Sequence, residues 1–118
     1  MKQKPKPLLP TLKERRRYLA FEIISKGRIE DYTAVKESLM AEIGSFFGEY
    51  GLAEANPWLM DEKWDSTRQR GMISIGHQDV EKLKAALALI ESVQNQRVIV
   101  RSLGVSGILR KAEAQYFH

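Results

Sequence analysis

The sequence contains no cysteine, only two histidines and no long apolar run. Without cysteine the chain can form neither disulfides nor thiolate metal sites, so the fold must be held by packing. No apolar stretch approaches the roughly 20 residues that a membrane helix needs, and the basic start lacks the apolar middle of a signal peptide. We therefore expect a cytoplasmic protein without a membrane segment. At 118 residues the chain is long enough for one domain with a modest core.

The residues that usually carry catalysis are also sparse. His77 and His118 lie far apart in the sequence, and the position of His77 just before a predicted helix favours a turn or cap. Asp61 and Asp65 would share one face of a predicted strand, but about 13 Å apart at roughly 3.3 Å per residue, which is too far for one Mg²⁺. We predict no catalytic residue, no metal site and no cofactor bound by the chain itself.

Charge is distributed unevenly along the chain. Residues 1–28 carry nine Lys/Arg and two Glu, and residues 97–118 carry four Lys/Arg and one Glu. Residues 29–96 reverse this balance, with six basic and twelve acidic side chains. A fold that brings the two ends together would have one cationic side, which suits a polyanion such as nucleic acid.

Apolar periodicity predicts the following order of elements. Residues 1–11 mix lysine with three prolines and read as a flexible basic arm, followed by a single domain over residues 12–118. Alternating apolar residues indicate strands and apolar spacings of three and four indicate helices. The predicted strands are residues 15–24, 58–65, 71–75 and 98–102, and the predicted helices are residues 31–51, 77–92 and 106–118.

This order is the split βαβ arrangement of an α+β, ferredoxin-like (RRM-like) βαββαβ fold. Its antiparallel sheet should carry two helices on one face. The first and fourth strands are apolar on both faces, which is unusual for a sheet with one wet side. We therefore expect the C-terminal helix to cover the second face.

The basic residues are the candidate RNA contacts. An RNA-recognition sheet usually stacks bases on aromatic residues, but the third strand reads RGMISIG and has none. Contacts should instead come from side chains that bind phosphates at strand ends and loops. The predicted RNA-binding residues are Arg15, Arg16, Arg17, Arg68, Arg70, Arg97, Arg101, Arg110 and Lys111.

The stretch RVIVRSLGVSG at 97–107 contains two glycines and a serine, but it lacks the GxxxxGK[ST] pattern of a nucleotide loop. Val98 and Val100 should be buried, with Arg97 and Arg101 on the opposite face. We expect Gly104 and Gly107 to form a tight turn. Ser106 should cap the last helix.

Four segments in register resemble one family: LKERRRYLAFEI (12–23), KWDSTRQRGMISI (63–75), LKAALALI (83–90) and RVIVRSLGVSG (97–107). They are similar to archaeal ribonuclease P protein component 2, which is related to a eukaryotic subunit of ribonucleases P and MRP. The resemblance implies a ferredoxin-like protein subunit of the ribonucleoprotein that removes the 5′ leader from precursor tRNA. It also implies catalysis by the ribonuclease P RNA with Mg²⁺, and a heterotetramer with a TIM-barrel protein subunit.

Two alternatives stay open at this point. The chain could be a protein-interaction or RNA-binding module of another ribonucleoprotein, in which case apolar residues would form the partner surface. The predicted partner-binding residues are Phe46, Phe47, Trp58 and Leu59. An independent nuclease is the other alternative, and the missing active-site chemistry argues against it. Whether the isolated chain self-associates is left open.

Overall fold

The computed structural model describes residues 15–117, so the predicted arm at 1–11 and His118 lie outside the described residues. The order of elements is strand, helix, two strands, helix, two strands, helix. The strands are β1 (Arg16–Ser25), β2 (Trp58–Leu59), β3 (Arg70–Gly76), β4 (Ser92–Val93) and β5 (Gln96–Ser106). The helices are α1 (Tyr32–Ala55), α2 (Val80–Ala88) and α3 (Leu109–Tyr116).

The strands form one antiparallel sheet in the order β2-β3-β1-β5-β4. The central strand β1 pairs with β3 on one side and with β5 on the other. Apart from the short extra strand β4, this is the predicted ferredoxin-like arrangement, with the first and last long strands adjacent. The predicted fold class is confirmed.

The main core lies between one face of the sheet and helices α1 and α2. Strand β1 contributes Leu19, Phe21 and Ile23, each at most 3% exposed. Helix α1 contributes residues spaced by four along one face, because that spacing returns to the same side of a helix: Val35, Leu39, Ile43 and Phe47. Burial of each large apolar side chain contributes about 1.5–3 kcal/mol to folding.

Helix α3 covers the second face of the sheet, as predicted. Ala20 of β1, Met72 of β3 and Ala112 of α3 are fully buried there. The approach is closest at Gly104, where an added Cβ would lie 1.6 Å from Oη of Tyr116. A side chain at Gly104, within β5, would therefore have to displace the Tyr116 ring.

The turn expected at Gly104 and Gly107 forms only at Gly107, because a shift in register lets β5 continue through Gly104 to Ser106. The β1–β5 pairing shifts between Ala20 and Phe21, leaving Leu103 as the extra residue of a β-bulge. Ser106 does not cap α3 either. Its Oγ accepts a hydrogen bond from the Ile108 N–H at 3.0 Å and so orders the turn before the helix.

The predicted strand at 58–65 is also wrong beyond Leu59. Residues Asp61–Lys63 form a 3₁₀ turn, and Trp64 folds back so that its ring centroid lies 5.6 Å from that of Tyr32. The Tyr32 hydroxyl donates to Asp61 at 2.7 Å, which holds this turn against the start of α1. Asp61 and Asp65 therefore do not lie along one strand, contrary to the prediction.

The remaining boundaries differ because of local backbone geometry. Helix α1 kinks at Gly48 (φ 77°), continues past Gly51, where it was predicted to end, and ends at Ala55. The predicted helix at 77–92 divides into a 3₁₀ turn (His77–Asp79) and α2. Gln94 and Asn95, with φ of 55° and 62°, then form a two-residue hairpin turn between β4 and β5. No helix in residues 15–117 is long and apolar enough to cross a membrane.

Candidate nucleic-acid interface

The register of the sheet separates the nine predicted RNA-binding residues into two groups at opposite ends. Tyr18 pairs with Ser106, so the start of β1 lies beside the end of β5, where the chain turns into α3. Ser25 pairs with Val98, so the start of β5 lies beside the end of β1. Arg15–Arg17, Arg110 and Lys111 belong to the first end, and Arg68, Arg70, Arg97 and Arg101 belong to the second.

At the first end, Arg16 is engaged by the fold itself. Its guanidinium donates to the carbonyl oxygen of Asn56 at 2.7 Å and to Oγ of Ser74 at 3.0 Å. A third bond of 3.4 Å reaches the carbonyl oxygen of Ala55, and the group also lies 6.0 Å from the ring centroid of Trp58. Arg16 therefore satisfies carbonyls at the end of α1, where a cation is also favoured by the helix dipole.

The other four cations at this end form what we call the β1-start cluster: Arg15, Arg17, Arg110 and Lys111. Arg17 donates from Nη1 to the carbonyl oxygen of Arg16 at 3.0 Å and lies against Gly107 at the turn into α3. Arg110 and Lys111 are exposed in the first turn of α3. Within residues 15–117, no carboxylate forms an ion pair with any of the four. Arg15, Arg110 and Lys111 are exposed, and Arg17 is half-buried.

At the second end, one carboxylate is shared by two arginines. Glu22 of β1 stands between Arg70 of β3 and Arg101 of β5 in the sheet register. Its oxygens lie 3.4 Å from Nε of Arg70 and 2.7 Å from Nη2 of Arg101. Arg70 also donates to the carbonyl oxygen of Tyr116 at 3.0 Å, so it anchors the end of α3. Arg68 and Arg97 are exposed at this end.

The predicted partner-binding residues lie in two different places. Phe47 is only 6% exposed and packs in the core, where its ring meets Phe46 edge-on at 6.3 Å. Phe46 is 37% exposed, and Tyr50 beyond the kink is 90% exposed. Trp58 is 63% exposed on β2, with Leu59 half-buried beside it. The apolar surface near the α1 kink therefore consists of Phe46 and Tyr50.

Gln69 is a buried polar residue that the sequence analysis missed. Its side-chain amide donates to the carbonyl oxygens of Ile29 and Ser66 and accepts from the Ile29 N–H, at 2.9–3.0 Å. Its own carbonyl oxygen accepts from the Ile23 N–H at 2.8 Å. Gln69 joins the loop before β3 to the segment that leads into α1. A polar residue in a predicted hairpin gives no sequence signal for such a role.

The titratable groups with perturbed pKa values have a structural role. The Tyr32 pKa is raised, chiefly by burial and then by its hydrogen bond to Asp61. The Asp61 pKa is lowered by that hydrogen bond and by the one from Lys36. The hydrogen bonds from Tyr32 and Lys36 to Asp61 hold the 3₁₀ turn against α1. Within residues 15–117, no cluster of three or more His, Asp or Glu side chains could hold a metal ion.

The sheet order and the helix on its second face define a ferredoxin-like domain with an added C-terminal helix. A family model described as the Rpp14/Pop5 family matches residues 17–117. The chain is 38% identical to ribonuclease P protein component 2 of Pyrococcus horikoshii over 98% of this chain and 94% of that protein. It is 34% identical to the protein of the same name from Thermococcus gammatolerans, with the same coverage.

A chain in the cryo-EM structure of yeast ribonuclease MRP has a similar fold. The TM-score is 0.61 at 14% identity, covering 80% of this chain and 76% of that one. The chain belongs to the Rpp14/Pop5 family. The family resemblance is thereby confirmed, and so is the predicted function: the chain is a protein subunit of ribonuclease P, the endoribonuclease of tRNA processing.

Proposed function

We propose that the β1-start cluster is the surface through which this ribonuclease P subunit binds the RNA of the enzyme. The proposal rests on the position of Arg15, Arg17, Arg110 and Lys111, which come from two distant parts of the chain and lie at the same end of the sheet. Their charges are not neutralised by ion pairs within residues 15–117. Lys2, Lys4, Lys6 and Lys13 precede the same strand in the sequence and lie outside the described residues.

The chemistry of such a surface is the neutralisation of phosphates. Each Lys or Arg that contacts a phosphate displaces condensed counterions, and this displacement makes binding weaken as salt rises. Guanidinium groups can also hold two phosphate oxygens at once. A rigid cationic surface would lower the repulsion between RNA segments that must pack closely, and so stabilise the active shape of the RNA.

We also propose that the reaction is carried out by the RNA subunit. In this proposal Mg²⁺ belongs to the RNA-containing holoenzyme, the substrate is precursor tRNA, the chain binds no cofactor itself, and the assembly works in the cytoplasm. The family resemblance supports the roles of the RNA, Mg²⁺ and precursor tRNA, whereas the lack of a bound cofactor and the cytoplasmic location are expectations from the sequence.

For the protein partner we propose a TIM-barrel subunit of ribonuclease P, assembled with this chain as a heterotetramer. The exposed side chains of Phe46, Tyr50 and Trp58 support a protein contact, because large aromatic residues are the usual anchors of interfaces. Mixing the two purified subunits and measuring the mass of the complex tests this. Replacement of Phe46 and Tyr50 by Ser should weaken assembly, and unchanged assembly would exclude this surface.

The RNA surface is tested by the salt dependence of binding. A triple variant, Arg15→Ala, Arg17→Ala and Lys111→Ala, removes three charges from the cluster. The matched control removes three charges elsewhere, at Arg28, Lys82 and Lys84. Binding to ribonuclease P RNA is measured from low to moderate salt for both variants.

Each lost phosphate contact should reduce the slope of log K against log salt by about 0.7–0.9, so the cluster variant should lose about two. The control should keep a slope close to that of the wild type. Equal loss of slope in both variants would show that net charge acts without a defined surface. An unchanged slope in the cluster variant would remove the proposal.

A further inference from the structure

Trp58 is a large aromatic side chain on the second face of the sheet, the face that α3 covers in part. It pairs with Ser74 of β3, and Ser74 pairs with Tyr18 of β1, so the three side chains lie in one row on that face. Helix α3 packs mainly on β1 and β5, whereas Trp58 belongs to the edge strand β2 and is 63% exposed. Its indole ring is therefore accessible from solvent.

The indole is also restrained from one side. The guanidinium of Arg16 lies over the ring, 6.0 Å from its centroid. That guanidinium is itself fixed by hydrogen bonds to Oγ of Ser74 at 3.0 Å and to the carbonyl oxygen of Asn56 at 2.7 Å. A cation over an aromatic ring is attracted to its electron-rich face, so Arg16 orders the indole while much of the ring stays in solvent. A ring that is ordered before binding loses less entropy when a ligand stacks on it.

The exposed ring lies next to the cations that we assign to phosphates. Arg16, whose guanidinium contacts the indole, lies between Arg15 and Arg17 of the β1-start cluster. Single-stranded nucleic acid is bound by this combination, in which cations contact the backbone and bases stack on aromatic rings. Strand β3 lacks the aromatic residues of an RNA-recognition sheet, but the neighbouring strand β2 supplies one at Trp58.

We propose that Trp58 stacks on an unpaired base of ribonuclease P RNA, and that Arg16 positions the indole for this contact. The proposal rests on the RNA surface proposed above and adds a contact with a base to it. The bases of an RNA duplex are stacked on one another, so the site selects a loop, a bulge or a strand end. Because every base has a flat π face, the contact distinguishes unpaired from paired RNA rather than one base from another.

A protein partner is the other occupant to consider, since the sequence predicted that role for Trp58. Phe46 and Tyr50 are also exposed, but they belong to α1 on the opposite face of the sheet. A guanidinium over the ring and the cations beside it favour a polyanion over an apolar protein surface. We therefore assign Trp58 to RNA, and the protein contact proposed above depends on Phe46 and Tyr50.

The test compares Trp58→Leu with Trp58→Phe in binding to ribonuclease P RNA, over the salt range used for the cluster variant. Trp58→Leu removes the aromatic ring but no charge. Its binding constant should therefore fall by about 5- to 150-fold at every salt concentration, while the slope of log K against log salt stays that of the wild type. Trp58→Phe keeps an aromatic face and should recover most of the affinity. Leu89→Ala, which removes another exposed apolar side chain, should bind as the wild type does.

The indole N–H signals of the ¹⁵N-labelled full chain provide a second measurement. The chain has two tryptophans, and Trp58→Phe identifies which signal belongs to which ring. A uridine heptanucleotide should shift the Trp58 signal saturably and leave that of Trp64, whose Nε1 is buried, in place. An RNA duplex of the same length should shift the Trp58 signal far less. An unmoved Trp64 signal in Trp58→Leu shows that the fold is retained.

Three results would overturn the proposal. These are wild-type RNA affinity in Trp58→Leu, equal affinity in Trp58→Leu and Trp58→Phe, or an equal shift of the Trp58 signal by the duplex and the single strand. Unchanged RNA affinity together with lost binding of the TIM-barrel subunit in Trp58→Leu would assign the ring to the protein partner. Failure of the RNA surface itself is distinct, because it appears as an unchanged salt slope in the variant that lacks Arg15, Arg17 and Lys111.

Discussion

Replacement of Gln69 by alanine should destabilise the protein far more than a hairpin substitution usually does. Gln69 is 9% exposed, and two of its three side-chain hydrogen bonds join it to Ile29, which is itself 1% exposed. Alanine would leave the N–H and the C=O of Ile29 without these partners. Each unsatisfied buried polar group costs about 1–3 kcal/mol, so losing both partners should lower the free energy of unfolding by about 2–6 kcal/mol.

Gln94→Ala is a matched control in the same protein. Gln94 has φ 55° and Gln69 has φ 57°, but Gln94 is exposed in the β4–β5 turn. Both substitutions change one glutamine with positive φ to alanine, so their difference isolates the buried hydrogen bonds. Urea unfolding followed by tryptophan fluorescence measures both, because Trp64 packs between Phe21 and Tyr32. If the two variants lost the same stability, the assigned role of Gln69 would be wrong.

Two further predictions concern the second face of the sheet and the turn after β2. Gly104→Ala should destabilise the chain by about 1–3 kcal/mol through overpacking against Tyr116, and Tyr116→Ala in the same chain should recover part of this loss in thermal unfolding. If Gly104→Ala unfolds like the wild type, α3 does not sit as described. Asp61 has a lowered pKa owing to Tyr32 and Lys36, so the stability it contributes is present above its unfolded pKa and is lost as pH falls through the folded value. The stability difference between the wild type and Asp61→Asn should therefore be constant from neutral pH to about pH 5 and shrink below about pH 4, and a difference independent of pH would contradict this.

Much of the fold follows from apolar periodicity. The alternation in β1 and the spacing of four in α1 each fix one buried face, and the order of these elements leaves few topologies. Periodicity fails where an apolar residue reaches the core from irregular backbone. Trp64 lies beyond the end of β2 and packs against Tyr32, yet the sequence predicted one strand that runs from Trp58 past Trp64.

The candidate site was less predictable, because the role of each arginine depends on residues distant in sequence. Arg15 and Arg16 are adjacent, but only Arg16 reaches the carbonyl oxygens at the end of α1, 40 residues away. The partial neutralisation of Arg70 and Arg101 depends on Glu22 standing between them, which only the sheet register reveals. Sequence therefore identified the cations but could not show which ones are free to bind RNA.

The most direct measurement is reconstitution of ribonuclease P from its RNA and protein subunits, with single-turnover cleavage of precursor tRNA followed across a Mg²⁺ titration. The Arg15, Arg17 and Lys111 triple variant should need more Mg²⁺ for half-maximal cleavage and should recover the wild-type rate at high Mg²⁺. The control triple variant at Arg28, Lys82 and Lys84 should follow the wild type throughout. If the cluster variant matched the wild type at every Mg²⁺ concentration, the β1-start cluster would not be the RNA surface of this subunit.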